Sequence, residues 1–199
     1  MTIGVIGTGS IGATFARKLA GAGIPAILAN SRGPDSLADL IADIGGQVRA
    51  GTREDAAAQN IVFVAVNWSK LPTALRGLPD FRGRIVIDAN NPIEPPTFVP
   101  ANLGGRLSSE VFTDYVPGAR LVKAFNHLPA ALLAEDPRVA GGRRVLFLAG
   151  SDAPAKAEVA KLIESFGFHG IDLGLLNEGG RAMSFPDGAL TIQNLIRLN

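Results

Sequence analysis

Ile3-Gly4-Val5-Ile6-Gly7-Thr8-Gly9-Ser10-Ile11-Gly12 opens the chain as an apolar strand, a GxGxxG loop and the first turn of a helix. A lone GxGxxG is a weak signal. One that follows a strand (Ile3–Gly7) and opens an apolar-periodic helix (Ile11–Ala22) is much more specific. The three glycines serve different ends. Gly7 makes the tight turn, Gly9 lets the backbone approach a pyrophosphate, and Gly12 lets helix and strand pack closely. Phosphates then meet the free N–H groups and the positive dipole end of the helix. Thr8, Ser10 and Ile11 complete the predicted dinucleotide-binding loop.

The end of the second strand decides which dinucleotide fits. An NAD site usually carries an Asp or Glu there, bonded to the ribose 2′-hydroxyl. This chain reads Ala29-Asn30-Ser31-Arg32-Gly33-Pro34, with no carboxylate before Asp35. A carboxylate would repel a 2′-phosphate, whereas Ser31 offers a hydroxyl donor and Arg32 a guanidinium fork matched to phosphate oxygens. The reading is NADP(H), with Asn30, Ser31 and Arg32 at the 2′-phosphate; the alternative is a solvated loop arginine and no preference.

Beyond this unit the chain keeps alternating short apolar runs with helical stretches, the pattern of βαβ units and a parallel sheet. Strands are predicted over Ile3–Gly7, Ala26–Asn30, Gln47–Ala50, Ile61–Val66, Arg84–Asp88, Arg120–Ala124, Arg144–Ala149 and His169–Leu173. Their nearly continuous apolar character fits helices on both sheet faces. Helices are predicted over Ile11–Ala22, Asp35–Ile44, Leu71–Leu78, Ala153–Phe166 and Asp187–Leu198. The expected fold is α/β: a Rossmann-type, doubly wound, mostly parallel sheet over residues 1–174. Residues 175–199 are expected to form a short helical appendage that packs on the domain or on a dimer partner.

Composition narrows the function. The 199 residues are 47% hydrophobic and 19% charged, enough for an ample core. A net charge of +1 leaves no electrostatic footprint for nucleic acid or an anionic membrane. With no cysteine, disulfides, thiolate catalysis and cysteine-ligated metal are excluded, and a reducing cytoplasm is compatible. The N-terminus shows no signal-peptide pattern, and the longest apolar runs are too short for a bilayer. The expectation is a cytoplasmic protein with no membrane or nucleic-acid partner.

Later strand ends supply candidate groups around a nicotinamide: Val66-Asn67-Trp68, Asp88-Ala89-Asn90-Asn91-Pro92 and Lys123-Ala124-Phe125-Asn126-His127-Leu128-Pro129. Asn67 and Asn90 are candidates to orient ribose or carboxamide. Trp68 either walls the pocket or is ordinary helix–sheet packing. His127, one of two histidines, either donates a proton or hydrogen bond to an acceptor or holds backbone carbonyls. Lys123 and Asn126 spell a K-x-x-N, which in β-hydroxyacid dehydrogenases sits on a helix; here it falls on strand and turn and reads as coincidence.

Asn90 to Gly105 breaks the rhythm with Pro92, Pro95, Pro96 and Pro100. A loop that long is usually functional or mobile, and it starts where open α/β sheets bind ligands. It either borders the active site or is a surface excursion. No metal-ligand spacing, P-loop, nucleophile elbow or glycosidase acid pair is present. Hydride transfer between two bound rings needs proximity and orientation above all, so a site poor in titratable groups suits an acceptor that is itself a cofactor.

Gly7–Gly12, Asn30–Arg32, Val64–Trp68, Val122–Ala130 and Asp172–Leu176 together resemble the NADP oxidoreductase, coenzyme F420-dependent family, which includes the cytosolic domains of STEAP-type metalloreductases. The resemblance implies hydride exchange between NADPH and a flavin-like ring, deazaflavin F420 or FMN. It also implies Ser31 and Arg32 at the 2′-phosphate, Asn67 and Trp68 beside the nicotinamide, and Asn126 to Pro129 at the acceptor, with Asn126 and His127 the catalytic candidates. A homodimer paired through the Ala189–Leu198 helix is implied as well. Two other functions stay open: reduction of a small carbonyl or imine, and a non-catalytic NADPH sensor.

Overall fold

The computed structural model describes residues 1–94 and 96–198. In chain order the first half runs β1 (Ile3–Ile6), α1 (Ser10–Gly21), β2 (Ala26–Ala29), α2 (Ala38–Ile44), β3 (Val48–Ala50), α3 (Arg53–Ala57), β4 (Ile61–Val64), α4 (Leu71–Leu75) and β5 (Ile85–Asp88). The second half runs β6 (Ile93–Glu94), β7 (Val99–Pro100), α5 (Ser108–Thr113), β8 (Arg120–Ala124), α6 (Ala130–Ala134), β9 (Arg138–Val139), β10 (Gly142–Gly150), α7 (Ala153–Ser165), β11 (His169–Asp172) and β12 (Ile196–Leu198).

The main sheet has the order β11-β10-β8-β5-β4-β1-β2-β3. From β8 to β3 every pairing is parallel, and β10 runs antiparallel to β8. After β3 the chain crosses back over β1 to lay down β4 on its other side. That reversal is the topological switch point, where open α/β sheets leave a crevice at the carboxyl ends of the strands.

Side chains alternate across the sheet and build two cores. On one face Ile3, Val5, Phe63 and Ile87 pack under Phe15 and Leu19 of α1 and Val159 and Ile163 of α7. On the other face Ile6, Val62, Val64 and Val86 pack with Ala56 of α3, Leu71 of α4 and Phe112 of α5. The doubly wound α/β architecture predicted from the sequence is the one observed.

Two local differences have clear causes. The helix expected over Asp187–Leu198 is absent: the segment turns, and Ile196–Leu198 pairs antiparallel with Gly142–Arg144 of β10. The amino-terminal part of the long β10 offers free ladder groups, and satisfying them outweighs the segment's helical periodicity. Regular helix in the C-terminal stretch is limited to a π-type turn, Leu176–Gly180. The segment packs back on the domain: Met183 is fully buried with Val145 and Phe147, and Ile192 N–H donates to the His127 carbonyl at 2.8 Å. The proline-rich loop is not structureless either. Its strands β6 and β7 form a hairpin; Pro95 lies outside the described residues. No helix among the described residues is long and apolar enough to cross a membrane.

Candidate dinucleotide site

A cleft of about 630 Å³ lies at the switch point. Along it come the ends of β2 (Asn30, Ser31, Arg32), β1 (Ile6, Gly7, Thr8, Gly9) and β4 (Ala65, Val66, Asn67), with Arg53, Lys70, Thr73 and Ala74 from α3, α4 and their approaches. The three glycines of the loop occupy three different environments. Gly7 has φ 100°, and a Cβ there would lie 2.1 Å from the Ala65 carbonyl oxygen. At Gly12 a Cβ would meet the Gly7 carbonyl oxygen at 1.9 Å. A Cβ at Gly9, by contrast, would meet nothing within 4 Å. The first and third glycines serve the fold, whereas the bare backbone at Gly9 faces open cleft. Gly9 is also the N-cap of the twelve-residue α1, which has no side-chain cap and no acidic residue in its first turn. That helix end keeps its positive dipole unneutralised. Ser10 and Ile11 do not line the cleft; Ile11 packs against the core beneath α1.

Asn30 shapes the neighbouring loop. Its Oδ1 accepts from Arg32 N–H at 2.8 Å, and its Nδ2 donates to Ser36 Oγ at 2.9 Å. Asn30 therefore orders the loop that presents Ser31 and Arg32, both exposed. Arg32 makes no ion pair among the described residues. Arg53, which sequence reasoning did not single out, donates from Nη1 to the Thr73 and Ala74 carbonyls at 2.7 and 3.0 Å and so links α3 to α4 across the cleft. It is placed by a capping box in which Thr52 and Asp55 satisfy each other's backbone N–H groups. The Thr52-x-x-Asp55 spacing was the available signal for that helix. Among the described residues, three cations, Arg32, Arg53 and Lys70, and no carboxylate line this cleft. The donor set fits a phosphorylated dinucleotide.

Asn90 lies beneath this floor, not in it. It is 3% exposed, and its amide is committed to protein: Oδ1 accepts from Val66 N–H at 2.8 Å, while Nδ2 donates to the Val64 carbonyl at 3.1 Å and to Asp88 Oδ1 at 2.8 Å. Both amide hydrogens are used, and the burial of the side chain keeps it from the cleft lining. Trp68 is buried in the second core and does not line the cleft; its neighbour Asn67 does.

The strand end after β8 is roofed. Phe125, in the left-handed region at φ 64°, turns the chain at the end of β8, and its ring joins Phe15, Phe63 and Phe166. Asn126 Nδ2 donates to Asn91 Oδ1 at 3.0 Å and to the Met183 carbonyl at 2.8 Å, while its Oδ1 is buried without a partner among the described residues. His127 is 1% exposed with its ring centroid 4.7 Å from that of Phe147, and among the described residues neither ring nitrogen has a hydrogen bond of good geometry. Burial pushes its pKa down to about 4, opposed only by a loose approach to the Val145 backbone. A neutral, enclosed imidazole is a poor proton donor. The candidates Asn126 and His127 thus lie under the C-terminal segment, apart from the cleft that gathers Gly7, Thr8, Gly9, Asn30, Ser31, Arg32, Val66 and Asn67. Lys123 is not part of a helical K-x-x-N: it sits on β8, fully buried, with Nζ 2.9 Å from Asp88 Oδ2.

The hairpin borders this region. Glu94 Oε1 accepts from Ser69 N–H at 2.5 Å, and Phe98 at the hairpin tip contacts Phe185 edge-on at 6.4 Å between centroids.

Residues 2–92 match the family described as NADP oxidoreductase, coenzyme F420-dependent. Among solved structures, a hypothetical protein of Sinorhizobium meliloti is 44% identical, with 99% of this chain and 96% of that one covered and a TM-score of 0.92. A proposed F420-dependent NADP-reductase from an Arthrobacter species is 31% identical, covering 89% and 86%, with a TM-score of 0.74. A reductive aminase from Aspergillus terreus, solved with NADPH, shares the fold at 17% identity and a TM-score of 0.61; the match spans 87% of this chain and 54% of that one.

Proposed function

Because this chain belongs to the NADP oxidoreductase, coenzyme F420-dependent family, we propose that it exchanges a hydride between NADP(H) and a flavin-like acceptor, with deazaflavin F420 ahead of FMN. NADP(H) is the dinucleotide of this family. When bound, it supplies the hydride; the chain's own residues hold it and keep it in line. Gly9 and the α1 terminus would hold the pyrophosphate, Ser31 and Arg32 the 2′-phosphate, and Ala65–Asn67 the nicotinamide half.

The observation that carries the acceptor class is the enclosure of His127 at 1% exposure, together with a cleft whose described lining holds no carboxylate or histidine and whose cations, Lys70 among them, lie at its phosphate-binding side. Carbonyl or imine reduction needs a well-placed proton donor. A redox ring that stacks on the nicotinamide needs chiefly proximity and orientation.

Loss of reduced-nicotinamide absorbance is the test, with deazaflavin, with FMN and without acceptor, and with NADH in parallel. Rapid oxidation with deazaflavin supports the reading. Tight NADPH binding without turnover on either ring overturns it.

A further inference from the structure

The buried pair Lys123–Asp88 is an unusual expense in an apolar sheet. Both side chains are 0% exposed, and replacing such pairs with apolar groups of similar volume is often neutral or stabilising. The pair therefore calls for an account beyond stability, and its hydrogen bonds give one.

Lys123 Nζ donates to Asp88 Oδ2 and to the Asn90 carbonyl, each at 2.9 Å. Asp88 Oδ1 accepts from Asn90 N–H at 2.9 Å and from Asn90 Nδ2 at 2.8 Å. Held on both its backbone and its amide, Asn90 has one orientation left. In that orientation its amide spans to the end of β4, taking the Val66 N–H and the Val64 carbonyl. Three adjacent strands, β8, β5 and β4, are thus linked at their carboxyl ends into one chain of charge-assisted and neutral bonds, and such linked networks strengthen cooperatively in a low dielectric. Its last member is the backbone of Val66, which lines the cleft with Asn67.

We propose that Lys123 and Asp88 are positioning residues for hydride transfer: through Asn90 they fix the Val66–Asn67 floor on which the nicotinamide lies. The inference rests on the hydride-transfer reading above. Neither residue touches the cofactor. The network reaches only the β4 end of the cleft; the Arg32 loop at the other end is ordered by Asn30 and Ser36 and does not depend on it.

This asymmetry makes the test. Bound NADPH excited directly emits with an intensity and lifetime that depend on how its nicotinamide is held, so this emission reports whether the ring is fixed. The double variant Lys123→Met/Asp88→Leu removes both charges together, avoids leaving one buried ion unpaired, and takes away the Oδ1 acceptor that holds Asn90. Expected are a melt that stays cooperative, binding of 2′,5′-ADP within about twofold of wild type, a clear fall in the intensity and lifetime of bound-NADPH emission, and a fall in kcat of about tenfold or more at unchanged KM for the acceptor. If the double variant does not fold, Asn90→Ala keeps the ion pair and removes its link to Val66; it is expected to give the same binding, emission and kcat pattern with a lowered melt, because Val66 N–H loses its partner. Wild-type emission and kcat in a folded variant overturn the proposal, and so does a parallel loss of 2′,5′-ADP and NADPH affinity. Should neither acceptor be reduced by the wild type, the hydride-transfer reading fails alone; the emission signal still decides whether the network positions the nicotinamide.

Discussion

Asn91 and Asn126 hold each other twice: Asn91 Nδ2 donates to the Asn126 carbonyl at 2.7 Å, and Asn126 Nδ2 donates back to Asn91 Oδ1 at 3.0 Å. The same Asn91 oxygen accepts from Phe185 N–H at 3.0 Å. One short side chain thus ties the end of β5 to the end of β8 and to the C-terminal segment above it. Asn91→Ala leaves the Asn126 carbonyl and the Phe185 N–H without these partners. We expect a loss of about 1–3 kcal/mol in urea denaturation, with faster hydrogen exchange at residues 183–192 than in wild type.

The loop glycines separate folding from binding. Gly12→Ala forces a Cβ against the Gly7 carbonyl, a backbone clash that cannot relax cheaply, so the variant is expected to be insoluble or destabilised by about 2 kcal/mol or more. Gly9→Ala meets no atom and keeps an ordinary φ of −71°. It is expected to melt within a degree or two of wild type but bind NADPH at least tenfold more weakly. Normal NADPH affinity in Gly9→Ala would remove the pyrophosphate from this loop.

Arg32 carries the phosphate preference in this reading. Charge-assisted hydrogen bonds contribute about 1.5–3 kcal/mol, so Arg32→Ala is expected to weaken NADPH about 10- to 100-fold while NADH changes by less than about threefold. Titrations of both nucleotides check this directly; equal losses for the two would place Arg32 elsewhere on the dinucleotide.

His127 makes the fold acid-sensitive. The unfolded chain protonates it below about pH 6.5, and the folded chain only near pH 4, where burial has moved it. Between these values the unfolded state binds the extra proton, so stability falls as pH falls, by about 3 kcal/mol across the window. Asp152 acts lower, because Arg120 and the Ala155 N–H hold its carboxyl at about 2. Its contribution is lost below pH 4. Urea midpoints at pH 7 and pH 4.5 are expected to converge in His127→Leu and to stay apart in wild type.

Much of the fold was legible because the strands are apolar on both faces and the Gly7–Gly12 loop has a fixed context. The place of Asn30, Ser31 and Arg32 along the cleft was legible for a similar reason: they follow a strand directly, at the switch point. What escaped the sequence depends on partners far along the chain. Asn90 looked like a ligand-facing group, yet its position relative to Val66 and Asp88 turns it inward. His127 looked accessible until residues 183–192 covered it. The helix predicted over Asp187–Leu198 had helical periodicity, but nothing local announced that the edge of β10 awaited a partner. Arg53 could have been found from its capping box; the Lys123–Asp88 pair could not, since 35 residues separate its members.

The antiparallel return of β12 onto β10 also bears on synthesis. The strand ends at Asn126–Leu128 are covered by residues more than 50 positions downstream, and β10 gains its last ladder partner only at Ile196–Leu198. As the chain leaves the ribosome amino end first, β1 to β5 can associate while the end of β8 still awaits residues 183–192 to cover it.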